Sequence, residues 1–375
     1  MFGKRFKLFK LLGFEVSIDL SWVIIAVLVA WSLSTGLFPF QVRDLSTGTY
    51  WMMGIFGALG LFMSIIVHEF SHSIVARRGG VQMKGITLFI FGGVAEMGNE
   101  PADPQLEFSV AIVGPLTSIA MGAIFYGLYV LGSGGGWPVP VTSVLGYLSF
   151  INFLLAAFNL IPAYPLDGGR ILRSILWGWK KNLRWATRIS ANVGSGFGMV
   201  LIALGVLRIL GGNFIGGMWM SLIGWFITSA AKMSYQQLVT RRALEGETVN
   251  RFMKRQPVTV PRSVTVEKLV EDFIYRHHYK FFPVTDNGTL LGCVSTRDVK
   301  QTPRDQWERL TVGDIAADCA SDNTISPDAD ALEALSAMRR NNASRLMVVE
   351  KDRLIGIIAL KDMLEFLSLK VELDE

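Results

Sequence analysis

Charge is what much of this sequence lacks. From Trp51 to Val67 there is no charged residue at all, and between Phe108 and Leu244 there is a single acid, Asp167. Uncharged apolar runs of about 20 residues match the hydrocarbon thickness of a bilayer, so a wholly water-soluble globule is excluded for this part of the chain. Cysteine is scarce too. Cys293 and Cys319 are the two in 375 residues. They form neither a disulfide framework nor a metal-binding spacing, so a reducing compartment fits and both read as ordinary buried thiols. A cleavable leader is not expected either: MFGKRFKLFK has a basic start, but the apolar run after Asp19 is too long and carries no small-residue cleavage site. An uncleaved first span is expected.

What charge there is falls unevenly. Residues 1–240 carry 16 basic and 9 acidic side chains, whereas residues 241–375 carry 20 and 22. This division predicts a transmembrane domain over 1–240 and a water-soluble one over 241–375. The pI near 9.2 does not point to nucleic acid, because the basic excess sits in the apolar half, where it reports topology. Six spans can be drawn, roughly 20–40, 51–76, 106–131, 144–178 (broken by prolines, either one bent helix or a span plus a second short helix), 190–210 and 214–236. A cytoplasmic N-terminus leaves Arg43 and Arg208 as the only basic residues of this half on the outer side, and it places the polar half in the cytoplasm. The segment 81–101 is β-rich and too short to cross twice. Such backbone at membrane depth must pack on protein or line a wet cavity, so a small sheet or re-entrant loop is expected there. The expected fold class is therefore an α-helical polytopic membrane protein with about six transmembrane helices and this small sheet, joined to a cytoplasmic α+β domain.

The second span ends in HEFSH, 68–72. On a helix, residues i and i+4 share a face, so His68 and His72 can offer imidazole nitrogens to one tetrahedral ion with Glu69 beside it. This is a zinc-hydrolase pattern, in which Glu69 would take a proton from water and return it to the leaving amine. Two imidazoles and a carboxylate in an apolar span cost several kcal/mol unless paired or ligated. A catalytic zinc needs a third protein ligand. Asp167, in NLIPAYPLDGGR (159–170), is either that ligand or an ion-pair partner of Arg170 or Arg173. Pro162 and Pro165 break the helix there, and Gly168 and Gly169 permit close backbone approach. Glu96, Glu100, Asp103 and Glu107 lie in the polar connection and are expected to be solvated.

With HEFSH, then FGGVAEM, then Asn159-x2-Pro162-x4-Asp167-Gly168, residues 10–235 resemble the site-2 protease family of intramembrane metalloproteases. EFSVAIVGPLTS, with Gly114 and Pro115, is similar to the family's third span. The resemblance implies one zinc per chain held by His68, His72 and Asp167, with Glu69 as general base and acid. It implies that Asn159 helps place the substrate or its developing oxyanion, and that the Gly92–Gly93 loop lies along the substrate. A transmembrane substrate helix must be unwound locally, and a strand edge at 90–94 could pair with the released segment. No PDZ-like insertion separates the two motifs, so the branch with appended CBS domains is the closer one.

The polar half contains a repeat. FPVTDNGTLLGCVSTRDV (282–299) aligns at an offset of 64 on LMVVEKDRLIGIIALKDM (346–363), pairing Gly292 with Gly356 and Asp298 with Asp362. Each unit, about 248–303 and 311–370, reads as strand, helix, strand, turn, strand, helix. This resembles a tandem CBS pair, a module that often binds adenosine nucleotides and regulates an attached protein, and through which two copies of a chain can pair as a homodimer. In that family a Ser/Thr-x-x-Asp turn holds a ribose. Ser295 and Asp298 fit it, whereas the second copy has Ala359 before Asp362. The expected partners are a membrane-anchored protein substrate, the lipid bilayer and an adenosine nucleotide. Two competing functions are a CBS-gated transporter or channel, and a membrane zinc peptidase of the prenyl-protein-processing sort. The latter would want a downstream Glu as third ligand.

Overall fold

The computed structural model describes residues 5–11, 13–81, 83–89, 92–97, 101–317, 323–341 and 343–373. They divide into two compact units, 1–236 and 237–375.

In the first unit, six helices are long and apolar enough to cross a membrane. We label them α1 (Leu20–Gln41), α2 (Thr47–Arg78), α3 (Pro104–Gly134), α4 (Val139–Asn159), α6 (Leu183–Leu210) and α7 (Phe214–Leu244), with the shorter α5 (Asp167–Lys180) after α4. Local chemistry sets their starts. Asp19, Ser46, Asp103 and Asn182 precede α1, α2, α3 and α6, and each side chain accepts from a backbone N–H of the first turn. These bonds satisfy donors that a helix start leaves open. Large apolar side chains such as Val27, Phe56, Ile124 and Leu207 face outward, as a lipid-facing surface requires.

Of the two readings of residues 144–178, the span followed by a second short helix is the one found: α4 runs from Val139 to Asn159, an irregular connection covers 160–166, and α5 starts again at Asp167. Pro162 and Pro165 withhold amide donors in that connection, so the helical ladder cannot continue through it.

The expected small sheet is present but larger than foreseen. Four strands, β1 (Arg5–Leu11), β2 (Phe14–Asp19), β3 (Met83–Phe89) and β4 (Gly92–Met97), lie side by side in that order. The N-terminal hairpin was not anticipated, because its basic residues read as a flank of the first span. Alternate residues of β2, Phe14, Val16 and Ile18, pack on Ile66 and Phe70 of α2, the period-2 face of a strand meeting an i, i+4 pair of a helix. Residues 68 and 72 lie on the opposite side of α2, so the sheet steadies the helix while the histidines face the bundle. Of the expected strand edge at 90–94, positions 90 and 91 lie outside the described residues, as does Cys319. Cys293 is buried.

The second unit holds the repeat. Hairpins β7 (Phe281–Asp286)/β8 (Thr289–Ser295) and β10 (Arg345–Glu350)/β11 (Arg353–Ala359) pair Val284 with Gly292 and Val348 with Gly356, each with a register shift just after. With short strands β5 (Lys254–Arg255), β6 (Val260–Pro261) and β9 (Thr324–Ile325) they form one sheet. Helices α8 (Thr296–Gln301), α9 (Ala331–Arg340) and α10 (Leu360–Leu373) accompany it. Each repeat buries its own core: Val260, Leu269, Phe282 and Val294 in the first, Leu335, Met338, Leu346 and Ile358 in the second.

Candidate metal centre

Three donor atoms converge between α2 and the start of α5. His68 Nε2 and His72 Nε2 are 3.1 Å apart, and each lies 3.2 Å from Asp167 Oδ2. His68 and His72 are each 4% exposed and Asp167 is 9% exposed, so water does not screen this cluster.

Helix α3 forms the wall behind it. His72 Nδ1 lies 2.5 Å from the Val110 carbonyl oxygen. A carbonyl only accepts, so this nitrogen carries the proton and Nε2 of the neutral ring presents its lone pair to the cluster. His68 Nδ1 sits 2.9 Å from Ser118 Oγ, which can accept in the same way. Between these two contacts lies Gly114, where a Cβ would overlap His72 Nε2 and come within 2.7 Å of His68 Nε2. Only glycine allows the imidazoles to approach this helix.

Asp167 arrives from a separate segment. The connection 160–166 folds back over the first turn of α5. A side chain on Gly168 would overlap the Leu160 and Ile161 carbonyl oxygens, and one on Gly169 would overlap the Tyr164 backbone. The tight approach read from the glycine pair is thus there.

The donor set suits a divalent cation. Two lone-pair nitrogens and a carboxylate oxygen held about 3 Å apart repel one another unless a positive charge lies among them. A tetrahedral zinc ion with bonds of about 2.0–2.1 Å sets its donors about 3.3 Å apart, close to the observed triangle. The Val110 carbonyl fixes the tautomer of His72 and the Ser118 hydroxyl orients the ring of His68, contacts of the kind that accompany metal-ligating histidines. Glu69, next in chain to His68, is half-buried and within electrostatic reach of His68, His72, Asp167 and Arg170.

The other residues singled out from the sequence are placed as follows. Asn159 is the last residue of α4, half-buried, and among the described residues its side chain makes no hydrogen bond. Gly92 and Gly93 open β4, opposite Phe89 and Leu88, on a strand that packs against α2. In the second unit Asp298 Oδ2 accepts from the backbone N–H and hydroxyl of Ser295, 2.7 Å each, as a capping box at the start of α8. Asp362 in α10 pairs with Lys254 Nζ at 2.9 Å through Oδ1, while its Oδ2 is buried without a hydrogen-bond partner.

One expectation fails outright. Glu107 is not solvated: it is fully buried, and its partner is Arg173, 4% exposed. Its place after the helix-starting Asp103–Pro104 turns it inward with Val110, Gly114 and Ser118 along one face of α3. That spacing, i, i+3, i+7, i+11 in an otherwise apolar helix, was a readable signal.

Several known proteins are similar to this chain. The family described as "Peptidase family M50" matches residues 56–139 and 136–203, and "CBS domain" matches residues 249–303 and 312–369. Rip3 of Mycobacterium tuberculosis is 35% identical over 360 residues, covering 94% of this chain and 90% of that one. "Zinc metalloprotease MJ0392" of Methanocaldococcus jannaschii is 30% identical, covering 98% and 97%. The solved "Site-2 Protease from Methanocaldococcus jannaschii" is 29% identical, with a TM-score of 0.42, covering 61% of this chain and 94% of that one.

Proposed function

The chain belongs to peptidase family M50, a metalloendopeptidase with a tandem CBS module, and on that premise we propose how its residues act. His68, His72 and Asp167 hold one zinc ion, and Glu69 serves as general base and then general acid in cutting a membrane-anchored protein within or near its transmembrane segment. The observation that carries this reading is the convergence of three buried donor atoms at 3.1–3.2 Å in a unit of apolar helices.

When bound, zinc supplies a Lewis acid that lowers the pKa of a coordinated water to about 7. The rest is done by the chain. Val110 and Ser118 fix the imidazoles so that both Nε2 atoms point to one place. The Glu69 carboxylate takes the proton of the attacking water and hands it to the departing amine nitrogen, so the amide bond breaks without releasing a charged amide ion. Asn159 steadies the substrate or its developing oxyanion. The strand containing Gly92 and Gly93 lies along the unwound substrate, to which its edge lends backbone hydrogen bonds. Bulky residues at Gly92 or Gly93 should then slow turnover and spare zinc content; unchanged turnover would count against this placement.

The basic residues favour a cytoplasmic N-terminus and a cytoplasmic CBS module, with the zinc site near that face. The CBS pair takes an adenosine nucleotide at its first repeat, where the Asp298 carboxylate beside Ser295 accepts from the ribose hydroxyls, whereas Asp362 follows Ala359 in place of the Ser/Thr and pairs with Lys254; the module also offers a surface for pairing two copies. A thermal shift with AMP or ATP that disappears in Asp298→Ala supports this; no shift at millimolar nucleotide leaves a scaffold role.

The activity itself is tested by cleavage of a single-span substrate in detergent or liposomes. Wild type should cut, and Glu69→Gln and Asp167→Ala should not. Cutting by Glu69→Gln would remove Glu69 from the reaction.

A further inference from the structure

Glu107 and Arg173 form an ion pair sealed from solvent. The Glu107 side chain is 0% and the Arg173 side chain 5% exposed, and Arg173 Nε donates to Glu107 Oε1 at 2.6 Å while Nη2 meets the same oxygen. Glu107 Oε2 is buried without a hydrogen-bond partner. Taking two such charges out of water is rarely repaid in stability, and apolar residues of similar volume usually serve as well or better. A carboxylate with one oxygen left bare makes stability a still poorer reason for the pair.

Its position suggests another reason. Glu107 lies on the α3 face that already orients His72 through Val110 and His68 through Ser118. Arg173 belongs to α5, the helix that begins with Asp167. The same guanidinium stacks 5.2 Å from the Tyr164 ring centroid, and its Nη1 donates to the Tyr164 hydroxyl at 3.4 Å. It therefore grips the connection that backs Gly169 as well as α5.

We propose that the Glu107–Arg173 pair is a positioning device that sets Asp167 in register with His68 and His72, making α3 the common reference for all three donors. A slip of α5 by one residue would carry the carboxylate about 1.5 Å along its axis. A working site tolerates about 0.5 Å. Apolar packing alone allows such sliding, whereas a planar guanidinium with two donors converging on one oxygen of a buried carboxylate and a third on the Tyr164 hydroxyl ties down both axial position and rotation. The inference rests on Asp167 being a metal ligand.

The test measures metal binding on full-length protein in detergent, using zinc competition against a chromophoric chelator and the visible absorption of the cobalt-substituted protein. Asp167→Ala serves as the reference for a lost carboxylate. Glu107→Gln should weaken zinc binding about 10- to 100-fold and move the cobalt spectrum toward that of Asp167→Ala. Arg173→Lys keeps the charge but not the planar guanidinium, and should give a smaller shift in the same direction. Wild-type affinity and spectrum in either folded variant would overturn the proposal. If both variants fail to fold, the pair is a requirement of folding and the proposal is likewise overturned. If Asp167→Ala itself changes neither affinity nor spectrum, the ligand assignment is what fails.

Discussion

The two units use the same charged residue types in opposite ways. In the membrane unit Glu107 and Arg173 are sealed together and Asp167 faces two buried imidazoles. In the second unit Arg251 meets Glu247 at 2.7 Å and Arg242 meets Glu245 at 3.5 Å, with both arginines more than half exposed. A charge in an apolar unit must be paired, ligated or functional, so its mere presence carries information. On a polar surface an ion pair is worth at most about 1 kcal/mol and carries little.

This contrast can be broken at several points. The largest expected effect is on cleavage. Glu69→Gln should lower turnover by about 10²–10⁴-fold, the usual contribution of a positioned general base, with zinc retained; cleavage assays on metal-loaded protein would show it. Next, Arg173→Met leaves a buried carboxylate without its counter-charge and should destabilise the protein by about 3–5 kcal/mol. Arg251→Met in the second unit should stay within about 1 kcal/mol. Denaturant or thermal unfolding of the two variants side by side would erase the distinction if their losses were equal. Ser118→Ala removes the partner of His68 Nδ1 and should weaken zinc binding about tenfold, at the low end for an outer-shell contact, as read by chelator competition.

The smallest effect concerns pH. Hydrogen bonds from Arg251 and then Lys370 hold the Glu247 carboxyl below the usual glutamate range. A group with a depressed folded pKa stabilises the fold above its unfolded value, about 4.3, and loses that contribution as pH falls through the lower folded value. Wild type should therefore exceed Glu247→Gln by less than about 1 kcal/mol at neutral pH. The gap should close below about pH 4. A gap that widened on acidification would refute the assignment.

The same contrast explains what could be read in advance. The pair of histidines was legible from its i, i+4 spacing at the end of an uncharged run, and the solitary Asp167 because acids are so scarce between Phe108 and Leu244. The six apolar segments were legible for the same reason, although the prolines of 160–166 blurred the fourth. Glu107 was misread because it follows three other acids in a polar connection, and only its helical phase with Val110, Gly114 and Ser118 distinguishes it. Strands β1 and β2 pair locally as an antiparallel hairpin and β2 alternates Phe14, Val16 and Ile18, so a local signal was there; the basic start and the long apolar run behind it masked it. In the second unit the repeat at offset 64 revealed the two hairpins. It did not reveal that Asp298 would cap α8 while Asp362 would pair with Lys254, because similar sequence positions met different neighbours.

The most direct test is the amount of zinc bound per chain by three purified proteins: wild type, Glu69→Gln and Asp167→Ala. One equivalent is expected in the first two and little or none in the third, since a carboxylate donor is lost only there. A full equivalent retained by Asp167→Ala at wild-type affinity would contradict this.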